Sequence, residues 1–229
     1  MIPFIKRTFL IVLLIFINTD AYATPYGNYD LEKIPQKKEG PSGTKYSLNI
    51  KYLDTILQDL MQHAFQYPAK FDSAEEKKRA TRDTLGLISV LNIYINNTPD
   101  PHFDILGRGA LVNHIGYTLN IPDSGMRAAE LYQRLLKSKP DDQESNYFYG
   151  VFLLSSGKCK QSVNYFDTAI KGGYIQAQLI QGVAYISCGD KKNALRALNA
   201  YTEKRPDDEK ANYLINAIEA DRFEIKNIQ

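Results

Sequence analysis

From Tyr46 to Tyr67 the apolar residues Ile50, Leu53, Leu57, Leu60, Met61 and Ala64 fall at intervals of three and four. That is the period of a helix with one buried face. Pro68 ends the run, because proline cannot continue a helical hydrogen-bond ladder. Ser73 followed by Glu76 forms a capping-box pattern and opens a second helix, whose inward face reads Ala80, Thr84, Leu87, Ile88, Leu91 and Ile95. The polar stretch Asn96 to Pro101 closes it, and Asp100 with Pro101 is placed to start a third. Helical periodicity then persists to Phe223. Nowhere does a stretch alternate with period two and β-branched enrichment, so the pattern predicts an all-α protein.

The two ends of the N-terminal region read differently. Lys6 and Arg7 precede the unbroken apolar run Phe9–Ile17, and the small-residue motif Ala21-Tyr22-Ala23 follows. This three-part order is that of a secretory signal peptide over 1–23, with cleavage expected after Ala23. The apolar run corresponds to about 14 Å of helix, against a hydrocarbon core of about 30 Å, so it does not read as a membrane anchor. No later stretch is long and apolar enough to span a bilayer, and the chain after cleavage is expected to carry no integral membrane segment. Residues 24–44 are polar and punctuated by Pro25, Gly27, Pro35 and Gly40-Pro41-Ser42-Gly43. They read as a flexible leader.

The second half carries an internal period. Gly150 and Gly182 are 32 residues apart, as are Gly157 and Gly189. Pro140 and Pro206 are separated by 66, two periods of 33. Counting back places Gly116 in the position of Gly150 and Gly182. Each repeat then has a glycine midway along its first helix and a small residue early in its second, Ala128, Ser162 and Ala194. A larger apolar residue follows four later, Tyr132, Phe166 and Leu198. Small residues let two helices approach and large ones fill the space beside them. Gly157 and Gly189 fall where the turn between helices is needed.

These glycines, small residues, large residues and prolines resemble the tetratricopeptide repeat family over 109–208. The family's usual first-helix Trp is replaced by Val112, Asn146 and Gln178, and Tyr174 stands for a closing proline. The resemblance implies an all-α, antiparallel helix-pair solenoid of about three repeats. An N-terminal helical hairpin lies in 45–108, and a capping helix and tail occupy 209–229. The helices at 46–67 and 73–97 either extend the stack or form a distinct hairpin.

In this family the first helix of each repeat lines a concave groove that binds peptides or protein segments. Carried onto this chain, the groove positions are Asn113, Tyr117 and Asn120, then Tyr147, Val151 and Leu154, then Leu179, Val183 and Ile186. The groove would be polar at one end and aliphatic along the rest, suited to an apolar or amphipathic segment. The alternative is that the chain's own N-terminal helices or Thr24–Thr44 cover those apolar residues. The family's antiparallel packing also implies that Cys159, opening one helix, meets Cys188, closing the next. In an oxidising compartment that pair is expected as a disulfide, worth roughly 3–4 kcal/mol on the chain-entropy model.

Composition narrows the function classes. The chain has 229 residues, 44% hydrophobic and 24% charged, with a formal net charge of +2, two cysteines and three histidines. A weak charge balance without a basic stripe argues against nucleic-acid partners. Two cysteines and three dispersed histidines provide no recognisable metal site, and no cofactor motif is present. His63 reads as structural and His102 as a surface residue. His114 is the best candidate for a functional histidine, yet it has no neighbouring carboxylate or cysteine in sequence. No catalytic residue is assigned. The expected function is an exported, non-enzymatic scaffold or adaptor that binds a polypeptide in the groove, in the bacterial periplasm. The alternatives are an envelope enzyme without a recognisable motif and a secreted effector acting outside the cell.

Overall fold

A computed structural model describes residues 24–40 and 43–222. The expected signal peptide, 1–23, lies outside the described residues. Among those described, a single 3-10 turn (Leu31–Lys33) and two strands, β1 (Pro35–Gly40) and β2 (Gly43–Leu48), precede nine α-helices. These are α1 (Ile50–Ala64), α2 (Ala74–Asn96), α3 (Phe103–Thr118), α4 (Ser124–Ser138) and α5 (Gln143–Ser155), followed by α6 (Cys159–Lys171), α7 (Gln176–Ser187), α8 (Lys191–Thr202) and α9 (Glu209–Glu219). The chain divides into two compact units at Lys139/Pro140.

The C-terminal unit, 140–222, is built from helix hairpins. α5 packs on α6 and α7 on α8, while α6 also packs on α7 and α8 on α9. Asp142, Asp190 and Asp208 cap α5, α8 and α9 by accepting the backbone N–H of Ser145, Asn193 and Ala211, at 2.9, 3.0 and 2.9 Å. Each satisfies a donor that the first turn cannot. Gly157 and Gly189 follow α5 and α7 with φ of +75° and +79°. The next N–H then bonds back to the preceding turn, Lys158 to Leu153 and Asp190 to Tyr185, each at 2.9 Å. This is the Schellman closure that a left-handed residue permits.

The expected glycine and large-residue pairing is present in both of these hairpins. A Cβ on Gly150 would lie 2.7 Å from the Phe166 ring, and one on Gly182 would lie 2.6 Å from Leu198. Phe166 and Leu198 are fully buried, as are Ser162 and Ala194. The missing side chain at each glycine is therefore the space into which the facing large residue fits.

In the N-terminal unit, 24–139, the hairpin α3–α4 has a different register. Its left-handed cap is Asn120, at φ +61°. Gly150 and Gly182 each sit seven residues before their caps, and seven before Asn120 is Asn113, not Gly116. Gly116 lies one turn nearer the loop, where its absent Cβ accommodates Ser124 rather than Tyr132. Ile121 N–H donates to the Gly116 carbonyl at 2.8 Å, so the closure itself is the same as in the later hairpins. The connection then runs two residues longer, through Asp123 at φ +62°.

The third helix is capped by His102, whose Nδ1 accepts from Asp104 N–H at 3.3 Å, and not by Asp100. The expected capping box at α2 forms with a shifted return bond. Ser73 Oγ accepts from Glu76 N–H, while the Glu76 carboxylate accepts from Asp72 N–H, both at 3.2 Å. α2 packs far more extensively on α3 than on α1. A bidentate pair ties α1 to α3, with the Asp54 carboxylate accepting from Arg108 at 2.6 and 2.7 Å.

Residues 24–34, expected within a flexible leader, are instead a strap against α1 and α2. Tyr26 and Ile34 are buried at 2% and 0% exposure, and Ile34 C=O accepts from Asn49 N–H at 2.8 Å. β1 and β2 pair antiparallel in the register Pro35–Leu48 to Gly40–Gly43. An all-α pattern thus gains one small sheet at its N-terminal end.

Candidate functional site

The nine expected groove residues are divided between the two units. Asn113, Tyr117 and Asn120 belong to 24–139, and the other six to 140–222.

The first three do not build a polar recognition surface. Asn113 is 2% exposed and its amide donates to the Gly109 carbonyl at 2.8 Å, closing its hydrogen bonding within α3. Tyr117 is half-buried beside Gly125, whose absent Cβ would lie 2.7 Å from the ring. Asn120 is exposed, but its role is conformational. It holds the left-handed cap that glycine holds in the later hairpins, a conformation Asn tolerates better than other side chains.

In the C-terminal unit three of the six are core. Val151, Val183 and Ile186 are 5%, 5% and 9% exposed. Val183 and Ile186 form one apolar cluster with Ala194, Leu198, Leu214 and Ile218. First helices pack on their neighbours as well as on their own partners, so α9 supplies Leu214 and Ile218 to the same core as α7. Leu154, Leu179 and Tyr213, from the three first helices α5, α7 and α9, are only half-buried and pack against this cluster. With Tyr185, Leu195 and Ile215, which pack against the same cluster, they are the accessible apolar edge of the unit.

Tyr147, the remaining position, stacks on Tyr174 with ring centroids 4.6 Å apart and planes at 30°. Phe148 and Phe166 lie at 5.3 and 6.3 Å from the same ring. Burial, reinforced by Tyr174 and Tyr201, pushes the Tyr147 phenol up to about 12. It is a neutral aromatic that anchors α5 to the loop after α6. Cys159, at the start of α6, and Cys188, capping α7, are joined as a disulfide with Cα atoms 5.7 Å apart. The expected pairing is present, and it crosses from one hairpin to the next.

His114 is fully buried, with the Phe65 ring centroid 4.7 Å away and the Tyr132 hydroxyl 3.5 Å from Nδ1. Burial pushes its imidazole down to about 3, so it is neutral and shielded near pH 7. It does not line an accessible site. Among the described residues no group of three or more His, Cys, Asp or Glu side chains is arranged to hold a metal ion, and no helix is long and apolar enough to cross a membrane.

Sequence reasoning missed a polar cluster between α1 and α2. Asp83 is fully buried and its carboxylate accepts from Tyr26 OH at 3.1 Å and Arg82 Nε at 2.9 Å. Asp59 accepts from Tyr29 OH at 2.6 Å and Gly27 N–H at 2.9 Å. Arg79 donates to the Tyr26 carbonyl at 3.0 Å. His63, 4% exposed, sits with Nδ1 2.8 Å from the Asp59 carbonyl oxygen and Nε2 2.9 Å from that of Thr24. The sequence carried one signal. Asp83 interrupts the inward face marked by Ala80, Thr84 and Leu87, and a carboxylate there requires a buried donor.

No protein-family profile matches the chain, and no curated protein matches it. Among solved structures it is similar to YrrB, described as a TPR protein with an unusual peptide-binding site. That likeness has a TM-score of 0.51 at 14% identity, covering 76% of this chain and 86% of that one. It is also similar to MamA at a TM-score of 0.37 and 18% identity, covering 70% and 86%. Paired helices with left-handed turn residues, glycine-seated large side chains and the likeness to YrrB identify the fold as an all-α, tetratricopeptide-type helical repeat.

Proposed function

We propose that this chain is an exported, non-enzymatic adaptor that holds a polypeptide segment against the apolar edge of its C-terminal unit, in the bacterial periplasm. The observation that carries the reading is the half-buried apolar surface that includes Leu154, Leu179 and Tyr213. Together with Tyr185, Leu195 and Ile215 they leave partly accessible apolar surface over one core. Apolar residues left accessible by a repeat fold are suited to a partner's side chains. The peptide-binding site described for YrrB supports the same use of the fold. Export is supported by the pattern of Lys6, Arg7, Phe9–Ile17 and Ala21-Tyr22-Ala23, and by a disulfide of the kind that persists in oxidising compartments. The accessible site then differs from the nine-residue groove. It keeps Leu154 and Leu179, adds Tyr213, and loses the buried Asn113, Val151, Val183 and Ile186.

The test is selection of a random peptide display library on the full chain and on Leu154→Gln/Leu179→Gln. Expected are apolar or amphipathic peptides enriched by the parent and lost from the variant, with the melting temperature kept within a few degrees. Peptides retained by the variant would move the site off this edge, and no enrichment by the parent would end the adaptor reading. Osmotic-shock fractionation of producing cells tests residence separately. A species beginning at Thr24 in the shock fluid is expected, and recovery only from cytosol with residues 1–23 attached would overturn export.

A further inference from the structure

The cluster between α1 and α2 has the anatomy of a peptide complex in which both partners belong to one chain. The receptor groups, Asp59 and His63 from α1 and Arg79 and Asp83 from α2, all sit on helices. What they read is the backbone and the hydroxyls of an extended segment: Thr24 C=O, Tyr26 C=O, Gly27 N–H, Tyr26 OH and Tyr29 OH. Residues 24–30 have no regular structure of their own. Their conformation is set by these contacts.

The fit extends to shape. Tyr26 is buried with its ring edge-on to His63 and Phe71, centroids 5.6 and 6.1 Å away. Tyr29 folds back over Gly27, where a Cβ would lie 2.7 Å from the ring, so any other residue after the first tyrosine would have to displace that ring. Leu31 seats in a notch of α2 made by Gly86, where any Cβ would collide with it. A glycine inside a long helix is disfavoured relative to alanine, a cost that a seated knob explains. The helices alone supply only part of the partners of these groups, Arg82 for Asp83 and Asp59 for His63. Without the strap, Asp83 keeps Arg82 but loses the Tyr26 hydroxyl, and Asp59 loses two donors.

We propose that the α1–α2 cleft is a polypeptide-binding site specific for an extended Tyr-Gly-x-Tyr segment, and that Thr24–Ile34 occupies it as a tethered ligand. The tether is the β1–β2 hairpin. Its described side chains are largely exposed, with Tyr46 at 69%. A two-stranded hairpin is marginal on its own in water, so it links the ligand to α1 without locking it. The site is distinct from the apolar edge of the C-terminal unit in its chemistry, since two carboxylates read phenol hydroxyls. A tethered ligand acts at an effective concentration of about millimolar, so a free competitor binds only when the tethered copy is weakened.

The experiment uses the full chain carrying Tyr26→Ala and a fluorescein-labelled peptide of residues 24–34, read by anisotropy and by melting temperature. Saturable binding is expected, with the melting temperature rising towards the parent value. Binding to the parent chain should be at least about tenfold weaker, because the cis strap competes. A peptide with both tyrosines changed to phenylalanine should lose about tenfold or more, the loss expected for hydroxyl bonds to charged acceptors. Should Tyr26→Ala not fold, Tyr26→Phe/Tyr29→Phe keeps both rings and removes only the hydroxyls. The native peptide should then displace the altered strap, seen as new protease sensitivity at 24–34. Absence of binding to either variant at millimolar peptide, or equal binding of the tyrosine and phenylalanine peptides, would overturn the proposal and leave the strap as ordinary core.

Discussion

The two compact units solve one problem, covering helices with side chains, by opposite means. In 140–222 the fit is periodic: a glycine opens a hole, Phe166 or Leu198 fills it, and a left-handed glycine ends the helix. The disulfide then joins neighbouring hairpins. In 24–139 the fit is particular to the place. Asn113 stands where a glycine stands later, Asn120 replaces the turn glycine, and a strap brought from 30 to 57 residues away matches the Asp59 and Asp83 carboxylates. Periodic packing draws its stability from apolar volume, whereas the strap draws it from satisfied polar groups. The two units should therefore fail under different perturbations.

The largest effect is expected from the periodic side. Phe166→Ala empties the pocket made by Gly150 and should cost about 3–5 kcal/mol, read as a fall in the urea midpoint at unchanged slope. Filling the hole from the other side should also hurt. Gly150→Ala, which on an exposed helix would stabilise by up to about 1 kcal/mol, should here destabilise, since its Cβ meets the Phe166 ring. A stabilised Gly150→Ala would refute the seated-glycine account. Replacing both cysteines by serine reopens a closure of sequence separation 29 and should cost about 3 kcal/mol. Hydrogen exchange should locate that loss in α6 and α7, with the amides of α1 and α2 unchanged.

Acid should single out the N-terminal unit. His114 is held neutral by burial, with its pKa lowered to about 3 against 6.5 when exposed. The unfolded chain binds the extra proton first, so the contribution is fully present above about pH 6.5 and is lost as pH falls towards 3. Between pH 7 and pH 4.5 the loss should reach about 2–3 kcal/mol from this group. Urea unfolding of the parent and of His114→Phe at both values checks it, and an unchanged pH dependence in the variant would show that another group is responsible.

That contrast also explains what could be read in advance. The hairpins α5–α6 and α7–α8 were legible because helix packing leaves small and large residues at fixed intervals, and the cysteine pairing followed from the repeat. The register of α3–α4 was misread because Gly116 was the nearest glycine, while the structural counterpart of Gly150 is the polar Asn113. The strap was invisible to periodicity: Tyr26 and Ile34 are single apolar residues among breakers, and the strap around Tyr26 is held by Asp59 and Asp83, far along the chain. The groove was legible only by position, and position alone does not tell an accessible Leu154 from a covered Val183.

Asn120 makes the smallest and most discriminating prediction, because the two readings of it separate cleanly. As a groove residue, Asn120→Ala would weaken peptide capture and leave stability alone. As the left-handed cap at φ +61°, it should do the reverse, costing about 1 kcal/mol through strain at a Cβ-bearing residue without amide help. Asn120→Gly should then change stability by no more than about 0.5 kcal/mol. Glycine relieves the strain but gives the unfolded chain more freedom, and the two effects oppose each other. The same alanine change at Gly157, φ +75°, provides the reference from the periodic unit and should cost at least as much, since no other element crowds that turn residue and strain alone is read. If Asn120→Ala left the melting temperature unchanged while Gly157→Ala lowered it, the two hairpins would not share a closure, and the resemblance between the units would end at their helices.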